Sequence, residues 1–192
     1  LRLGIGDPTL MDALSFAKSG NKSLRKYIER AYNIRSDLGQ VARLFWEGGA
    51  EALTKIDVEV GKPVRPALAE RVQSPAAIIA RLGRCAAEPK FDGFRCQIHK
   101  DGDRVKVFSR NLEDFSDMFP ELIEGTRRQV ALDQAILEGE ALAVDTATGD
   151  FLPFQVTVQR KRKHGIEAMQ LKYPLKLMAF DMLFADGVDL TH

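Results

Sequence analysis

The side chains best suited to chemistry are concentrated between Glu88 and Arg95, where Lys90, Asp92 and Gly93 also stand at the start of a predicted strand. A lysine amine is a nucleophile only when it is neutral, so such a site should desolvate it or surround it with other cations. Gly93 would let backbone or a ligand approach closely, and Arg95 would serve a phosphate or a ribose. The alternative is an exposed Lys-Asp pair before a glycine turn, and this segment alone does not decide between the two.

A second candidate is the Glu138-Gly139-Glu140 tripeptide, which interrupts an otherwise apolar predicted strand. Carboxylates in a buried strand cost free energy unless they have partners, so the pattern indicates a ligand near these two side chains. The alternative is a β-bulge at Gly139 that turns both acids to water.

Composition is compatible with several functions. The chain has 192 residues, a net charge of +1, a pI near 8.0 and 45% hydrophobic residues, which suffices for a folded core and neither requires nor excludes a nucleic-acid partner. It has no apolar run of the roughly 20 residues that cross a bilayer, and its first residues do not form a signal peptide. We therefore expect a cytoplasmic protein without a membrane partner. Cys85 and Cys96 lack metal-ligand spacing and are interpreted as structural thiols. Because the sequence opens on Leu1, we expect an internal piece of a longer protein.

The elements that must position these side chains change character along the chain. Helical periodicity predicts three helices, namely residues 10–18 capped by Thr9, residues 23–33, and residues 37–47 with Asp37 as N-cap and Gly48-Gly49 as the end. Pro63 and Pro66 interrupt this periodicity, and a domain boundary is placed there. The first third of the chain is therefore predicted to be helical.

Beyond the boundary, the patterns favour strands. Strands are predicted at residues 94–99, 104–109, 135–144 and 176–184, with turns at Asp101-Gly102, Thr148-Gly149-Asp150 and Asp186-Gly187. Val105, Val107 and Ser109 are assigned to one face of the second strand, and Lys106 and Phe108 to the other. A helix is predicted after Pro120, with an apolar side formed by Leu122, Ile123 and Val130. The fold class is α+β, with helices followed by an antiparallel sheet.

The segment from Lys90 to Arg95 resembles the K-x-D-G-x-R motif of the covalent nucleotidyltransferases, the superfamily of DNA ligases, RNA ligases and mRNA-capping enzymes. The resemblance implies that Lys90 attacks the α-phosphate of ATP, expels pyrophosphate and becomes a lysyl-AMP. The AMP would then pass to the 5′-phosphate of a DNA nick, and the 3′-hydroxyl would displace it to seal the strand. Mg²⁺ is implied as well, since phosphoryl transfer needs cations to offset the charge on the reacting oxygens.

Further segments resemble later motifs of that superfamily in the same order. Ser109-Arg110-Asn111 resembles the next motif, which implies a nucleotide or phosphate contact for Arg110. Glu138-Gly139-Glu140 resembles the acidic motif whose final glutamate binds the ribose or helps to hold metal, which falls on Glu140. Phe180 matches the aromatic residue that stacks on the purine, and Glu88 the glutamate that recognises the adenine amine. Taken alone, Arg110 and Glu88 would be ordinary solvated side chains and Phe180 a core residue.

Three segments, residues 1–6, 28–33 and 61–66, resemble the end of the helical DNA-binding domain of archaeal and eukaryotic replicative DNA ligases and its junction to the catalytic domain. We therefore expect residues 1–56 to be the C-terminal part of such a helical domain, and residues 57–192 to be the N-terminal part of an antiparallel-sheet adenylation domain. Five basic residues of the helices could meet DNA phosphates, namely Lys22, Arg25, Lys26, Arg30 and Arg35. The densest basic run, from Arg160 to His164, is interpreted either as a contact to DNA or triphosphate or as a solvated loop.

The resemblance leaves three hypotheses open. The first is a monomeric ATP-dependent DNA ligase fragment that acts on nicked double-stranded DNA, is nucleoid-associated if archaeal, and has a sliding clamp as partner of the full-length enzyme. The second is an RNA ligase or mRNA-capping nucleotidyltransferase, against which the helical segment argues. The third is a DNA-binding fragment in which Lys90 never reacts, because a later acidic motif, a lysine-bearing motif and an OB-fold have no counterpart among these residues.

Overall fold

The computed structural model describes residues 4–162 and 164–191. Its elements, in chain order, are α1 (Asp7–Ser19), α2 (Arg25–Arg35), α3 (Leu38–Thr54), α4 (Pro75–Leu82), β1 (Phe94–Asp101), β2 (Arg104–Ser109), α5 (Pro120–Gln129), β3 (Gln134–Ala143), α6 (Phe154–Thr157), α7 (Ile166–Lys172), β4 (Leu175–Ala185) and β5 (Val188–Asp189). The α+β class predicted from the sequence is confirmed. None of the helices within the described residues is long and apolar enough to cross a bilayer.

The first helix begins earlier than predicted. α1 starts at Asp7 with Gly6 as its N-cap, and Thr9 lies inside the first turn without capping it. Pro8 explains the difference, because proline is favoured at the start of a helix, where its missing N–H costs nothing. Asp12, in the following turn, accepts hydrogen bonds from Lys22 at 2.6 Å and Arg25 at 2.7 Å.

The third helix has the predicted start, and a second helical segment that was not predicted follows its predicted end. The Asp37 side chain accepts a hydrogen bond from the Gln40 N–H at 2.9 Å, which confirms it as the N-cap. Gly49 adopts φ +68° and ψ −161°, but the chain turns helical again after this kink and continues to Thr54. The Lys18 amine donates to the carbonyls of Phe45 and Trp46, in the turn before the kink. The glycine pair therefore ends the first helical segment, as predicted, and a second segment follows it directly.

The sheet has the order β2-β1-β3-β4-β5, and each pair of neighbours is antiparallel. The predicted hairpin between β1 and β2 is confirmed, with its turn one residue later than predicted. Asp101 still pairs with Arg104, so Gly102 and Asp103 form the two-residue loop, and Gly102 supplies the positive φ of +57° that such a turn requires.

Two hydrophobic cores cover the two faces of this sheet. One core joins the helices to the sheet, since Ile28, Phe45 and Val58 belong to the same cluster as Ile136 of β3. The other packs α5 against the opposite face through side chains such as Phe119 and Leu122. Helix α5 confirms the prediction of a helix beginning at Pro120. On the face that carries the helices, the core covers the sheet around Ile136 of β3. The part of the same face near the start of β1 lies outside this core.

One face assignment in β2 was incomplete. Val105 and Val107 are buried as predicted, but Phe108 on the other face is buried too, at 6% exposed. Its ring packs edge-on against His99 of β1, with ring centroids 4.9 Å apart. The strand is therefore covered on both faces at this position, which alternation of apolar and polar residues alone did not indicate.

The predicted boundary segment runs between the helices and the sheet and contacts both. The backbone N–H of Arg65 donates to the Asn33 carbonyl at 2.8 Å, and Arg35 pairs with Glu59. On the sheet side, the N–H groups of Gly61 and Val64 donate to side chains of β1. The segment is extended and irregular, as its prolines predict, and it fastens the helices to the sheet.

Candidate active site

A cavity of about 610 Å³ lies beside the first residues of β1 and the neighbouring part of β3 around Glu140. It brings together six of the eight residues singled out in the sequence, namely Lys90, Asp92, Gly93, Arg95, Arg110 and Glu140. The rest of the lining consists of residues 66–69 together with Phe94, Ser109, Asn111, Phe115, Phe154 and Lys161. Glu88 and Phe180 are not among the described residues that line this cavity.

The entry to β1 is fixed by close contact between Gly93 and β3. The Gly93 N–H donates to Glu140 Oε1 at 2.9 Å. A Cβ atom at Gly93 would lie 2.3 Å from the carbonyl oxygen of Ala141, a distance that real Cβ atoms do not adopt. The glycine is therefore needed for a close backbone approach. This contact places Lys90 and Asp92 beside the carboxylate of Glu140.

Glu140 is the acidic centre of the cavity. Partial burial raises the pKa of its carboxyl group, while the Gly93 N–H and the charges of Lys90 and Arg95 act in the opposite direction. Asp92 is close enough to raise this pKa further by repulsion between like charges. One oxygen of Glu140 is used by Gly93, so its other oxygen can accept a ligand hydroxyl or bind a cation.

Lys90 is exposed at the cavity wall. Its amine lies 3.4 Å from the carbonyl oxygen of Phe91, and it forms no ion pair within the described residues. An amine that is not held by a carboxylate is free to reach a reactant in the cavity. The amine is exposed and not desolvated, so only the other condition expected for a nucleophilic lysine, the presence of further cations in the cavity, is met. The role of Lys90 as nucleophile stays a prediction.

Arg95 is held by a carboxylate that the sequence did not indicate as its partner. Its guanidinium pairs with Glu138, which is 7% exposed and lies on the neighbouring strand β3. The guanidinium carbon also lies 4.6 Å from the centroid of the Phe180 ring. Arg95 thus lies between an acid and an aromatic ring, and its Nε is buried without a hydrogen-bond partner in the part of the chain that the structure describes.

The acidic tripeptide lies opposite a β-bulge of the partner strand β4, and its acids are not both turned to water. The register between β3 and β4 shifts between Glu138 and Gly139, where Phe180 is the extra residue of β4. A Cβ at Gly139 would lie 2.8 Å from the carbonyl oxygen of Met178, so glycine is required at the bulge. Glu138 and Glu140 lie on the same face of β3, where Glu138 pairs with Arg95 and Glu140 lines the cavity.

Phe180 and Glu88 are the two predicted site residues that do not line the cavity. Phe180 is 37% exposed and reaches the cavity wall only through its contact with Arg95. Glu88 is exposed and forms no ion pair within the described residues. Their assignments as purine platform and adenine-recognition residue stay predictions from the resemblance.

The loop after β2 presents Arg110 to the cavity. Ser109 accepts hydrogen bonds on its hydroxyl from the N–H groups of Asn111 and Glu113, both at 3.2 Å. Leu112 adopts a positive φ of +65°, so the loop turns sharply after Arg110. The Arg110 side chain is exposed and has no ion pair within the described residues, which leaves its guanidinium available to an anion.

The basic run from Arg160 to His164 divides into side chains with different environments. Arg160 is 2% exposed and pairs with Glu121 of α5, so it stabilises the fold and is not a surface contact. Lys161 lines the cavity, and its amine lies 4.7 Å from the centroid of the Phe115 ring. Arg162 and His164 are exposed, and Lys163 lies outside the described residues. The sequence indicated a cationic segment here, but not which residue reaches the cavity.

Comparison with known proteins agrees with this geometry. A family model described as the ATP dependent DNA ligase domain matches residues 66–192, more than half of the chain. The chain therefore belongs to the ATP-dependent DNA ligase domain family.

Individual relatives extend over the whole chain. This chain is 62% identical over 191 residues to a probable DNA ligase of Dictyoglomus turgidum, and the match covers 100% of this chain and 33% of the relative. It is 46% identical over 192 residues to a DNA ligase of Hyperthermus butylicus, covering 100% of this chain and 32% of the relative. The chain thus spans about a third of the length of the curated relatives it matches. Among solved structures, mycobacterial DNA ligase D complexed with ATP and MES matches with a TM-score of 0.41 and 25% identity, over 54% of this chain and 30% of that one.

Proposed function

We propose that this chain takes part in ATP-dependent sealing of nicks in double-stranded DNA, with Lys90 as the residue that accepts AMP. The observation that carries the proposal is the cavity, where four cationic side chains, Lys90, Arg95, Arg110 and Lys161, face two carboxylates, Asp92 and Glu140. Such an excess of positive charge suits a ligand with several phosphates. Membership of the ATP-dependent DNA ligase domain family supports ATP as that ligand.

Lys90 would act as nucleophile in the first step. Its amine nitrogen attacks the α-phosphorus of ATP, the N–P bond forms, and the bond from that phosphorus to the bridging oxygen breaks as pyrophosphate leaves. The ammonium loses one proton before the attack and a second after the N–P bond has formed, both to solvent or to a basic oxygen in the cavity, and the product is a phosphoramidate that keeps one N–H. This role is supported by its place on the cavity wall and by the lack of an ion pair that would hold its amine elsewhere in the described residues.

The remaining cationic side chains would bind and orient the nucleotide. Arg110 and Lys161 are exposed on the cavity wall and suit phosphate oxygens, while Arg95 suits the ribose or a phosphate. We assign the purine to Phe180, whose contact with Arg95 puts it next to the cavity, and the adenine amine to Glu88, which rests on the resemblance alone.

Mg²⁺ fits the donors present as a shared ion. The described residues contain no cluster of three or more side chains that could hold a metal by themselves. Mg²⁺ is commonly held by one or two carboxylates together with substrate phosphates, however, and the second oxygen of Glu140 is available for such a role. Glu140 would hold the ion, which would offset negative charge on the phosphate oxygens when bound.

The later steps concern DNA. The AMP on Lys90 would pass to the 5′-phosphate at a nick, and the 3′-hydroxyl would then displace it. The basic residues of the helices give limited support to a DNA contact, since Lys22 and Arg25 both pair with Asp12, and Arg35 pairs with Glu59. Lys26 and Arg30 form no ion pair within the described residues, and they are the side chains we assign to DNA phosphates.

The proposal is tested by incubating the chain with Mg²⁺ and ATP labelled on its α-phosphate, followed by denaturing electrophoresis. We expect a covalent, labelled band that labelled GTP does not produce. Lys90→Ala and Lys90→Arg should both lose the band, because neither offers a primary amine, while the second keeps the positive charge. A band that persists in both variants would refute the assignment of Lys90. A folded wild-type chain that gives no band would refute self-adenylation by this chain.

A further inference from the structure

Three buried polar side chains lie on the face of β1 and β3 that continues from the cavity towards the helices. Gln97 is 3%, His99 is 1% and Glu138 is 7% exposed. Burial of polar groups costs free energy unless each finds a hydrogen-bond partner. None of the proposed chemical steps uses Gln97 or His99, so their burial calls for another explanation.

His99 has a defined tautomer. Its Nδ1 accepts a hydrogen bond from the Gly61 N–H at 2.9 Å, so the ring proton must be on Nε2. Nε2 lies 2.8 Å from Oε1 of Gln97 and is the donor of that hydrogen bond. Burial keeps the ring neutral by lowering its pKa, and the nearby charge of Lys106 acts in the same direction. The His99 ring therefore links the segment before the sheet to Gln97.

Gln97 is held on both sides of its amide. Its Oε1 accepts from the Val64 N–H at 2.8 Å, and its Nε2 donates to the Val64 carbonyl at 3.0 Å. The same Nε2 donates to Oε1 of Glu138 at 3.0 Å. A flipped amide would place its oxygen against two acceptors, so only one orientation is favourable. Gln97 therefore fixes one oxygen of the carboxylate whose other oxygen pairs with Arg95.

We propose that Gln97 and His99 are positioning residues for nucleotide binding, which hold Glu138, and through it Arg95, in the orientation that faces the cavity. We name the series His99, Gln97, Glu138 and Arg95 the relay. The proposal rests on the proposed function, since it assumes that a nucleotide binds where Arg95 lines the cavity.

The relay also depends on how the helices dock. Its outer end is the backbone of Gly61 and Val64, which belong to the segment that fastens α2 to the sheet. The next residue, Arg65, donates through its N–H to the Asn33 carbonyl of α2. Movement of this segment away from β1 would remove three hydrogen bonds of the relay at once. The docked position of the helices therefore affects the orientation of Arg95 indirectly, through the segment that contains Gly61 and Val64.

The test uses Gln97→Met, which keeps a side chain of similar length and removes every hydrogen bond of the amide. The matched control is Thr126→Val in α5, which removes a buried hydrogen bond to the Leu122 carbonyl away from the cavity. Binding is measured by calorimetry with Mg²⁺ and α,β-methylene-ATP, which cannot transfer AMP. Arg95 is followed through its Nε–Hε signal in NMR spectra without nucleotide, assigned with Arg95→Lys. His99→Asn provides a second variant of the relay if Gln97→Met does not fold.

We expect Gln97→Met to raise the Kd for the analogue about fivefold, the effect of one net hydrogen bond, and to shift the Arg95 signal. Thr126→Val should change neither, even where it lowers stability as much. Equal effects of the two variants, or an Arg95 signal that does not move in Gln97→Met, would overturn the proposal. If the wild-type chain does not bind the analogue, nucleotide binding by this chain fails. The NMR signal of Arg95 then tests the relay by itself. A shift of this signal in the relay variants but not in Thr126→Val would support the positioning role, and a signal that does not move in the relay variants would refute it.

Discussion

Lowering the pH from 7.5 to 5.0 should destabilise the folded chain through His99. The ring is 1% exposed, and its Nδ1 is already used as an acceptor by the Gly61 N–H. Burial, helped by the charge of Lys106, lowers the pKa of His99 from 6.5 to about 3. A proton on Nδ1 would remove the hydrogen bond from Gly61 and place a charge in a buried site.

The sign and size follow from proton linkage. Between pH 6.5 and about 3, the unfolded chain binds a proton at His99 that the folded chain does not bind. The free energy of unfolding therefore falls as the pH falls through this window. For these two pKa values the loss is roughly 2 kcal/mol at pH 5.0 and roughly 3 kcal/mol at pH 4.0, relative to pH 7.5.

The assay is urea denaturation of the wild-type chain and of His99→Asn at pH 7.5 and 5.0. Asparagine does not titrate, and its side-chain oxygen can accept the Gly61 N–H. The variant should be less stable at pH 7.5, because it loses the hydrogen bond to Gln97, but its stability should fall by about 2 kcal/mol less on acidification. All other titrating groups are shared by the two proteins and cancel in this comparison. Equal losses in both proteins would show that His99 is not held neutral by the fold.

Three further substitutions test other parts of the site. Gly93→Ala should lower the free energy of unfolding by about 1–3 kcal/mol in chemical denaturation, because the added Cβ would meet β3. The control is Gly125→Ala in α5, where the nearest atom to the added Cβ is 4.0 Å away, so this variant should be neutral or stabilising. Similar losses of stability in the two variants would contradict the close approach of Gly93 to β3. Arg160→Met should cost about 3 kcal/mol by the same measurement, since it leaves the Glu121 carboxylate without its cation, and an unchanged stability would contradict the structural role of this pair. Lys161→Ala should raise the Kd for α,β-methylene-ATP about fivefold, as expected for one charge-assisted contact, and an unchanged Kd would exclude Lys161 from nucleotide binding.

The local features of the fold were largely predictable from the sequence. The bounds of β2 and the N-cap at Asp37 depend on patterns within a few residues, and the structure confirms both. Lys90 and Gly93 are close in the chain, so their placement at one strand entry followed from sequence proximity. The glycine pair also marks the predicted helix end, but the second helical segment that begins directly after Gly49 was not predicted.

The partners across the sheet were not predictable in the same way. Glu138 was singled out as an acid that needs a partner, but its pairing with Arg95 joins residues 43 positions apart and depends on the register of β1 against β3. A shift of one residue would place Glu138 on the opposite face of the sheet. The burial of Arg160 was equally hidden, since a run of basic residues gives no local sign that one member pairs with Glu121 beneath the surface.

The register also separates the two acids of the tripeptide into different roles. Arg95 lies opposite Glu140 in the pairing of β1 with β3, yet its guanidinium pairs with Glu138 on the same face. Because Glu138 neutralises Arg95, the second acid is left with an oxygen that no cation in the described residues pairs with. Lys90, Arg110 and Lys161 likewise form no ion pair within that part of the chain, although all three line the cavity. Such cations close together repel one another, and an anionic ligand with several phosphates would relieve this repulsion. The same strand register that holds Arg95 in place thus leaves the rest of the cavity available to a nucleotide.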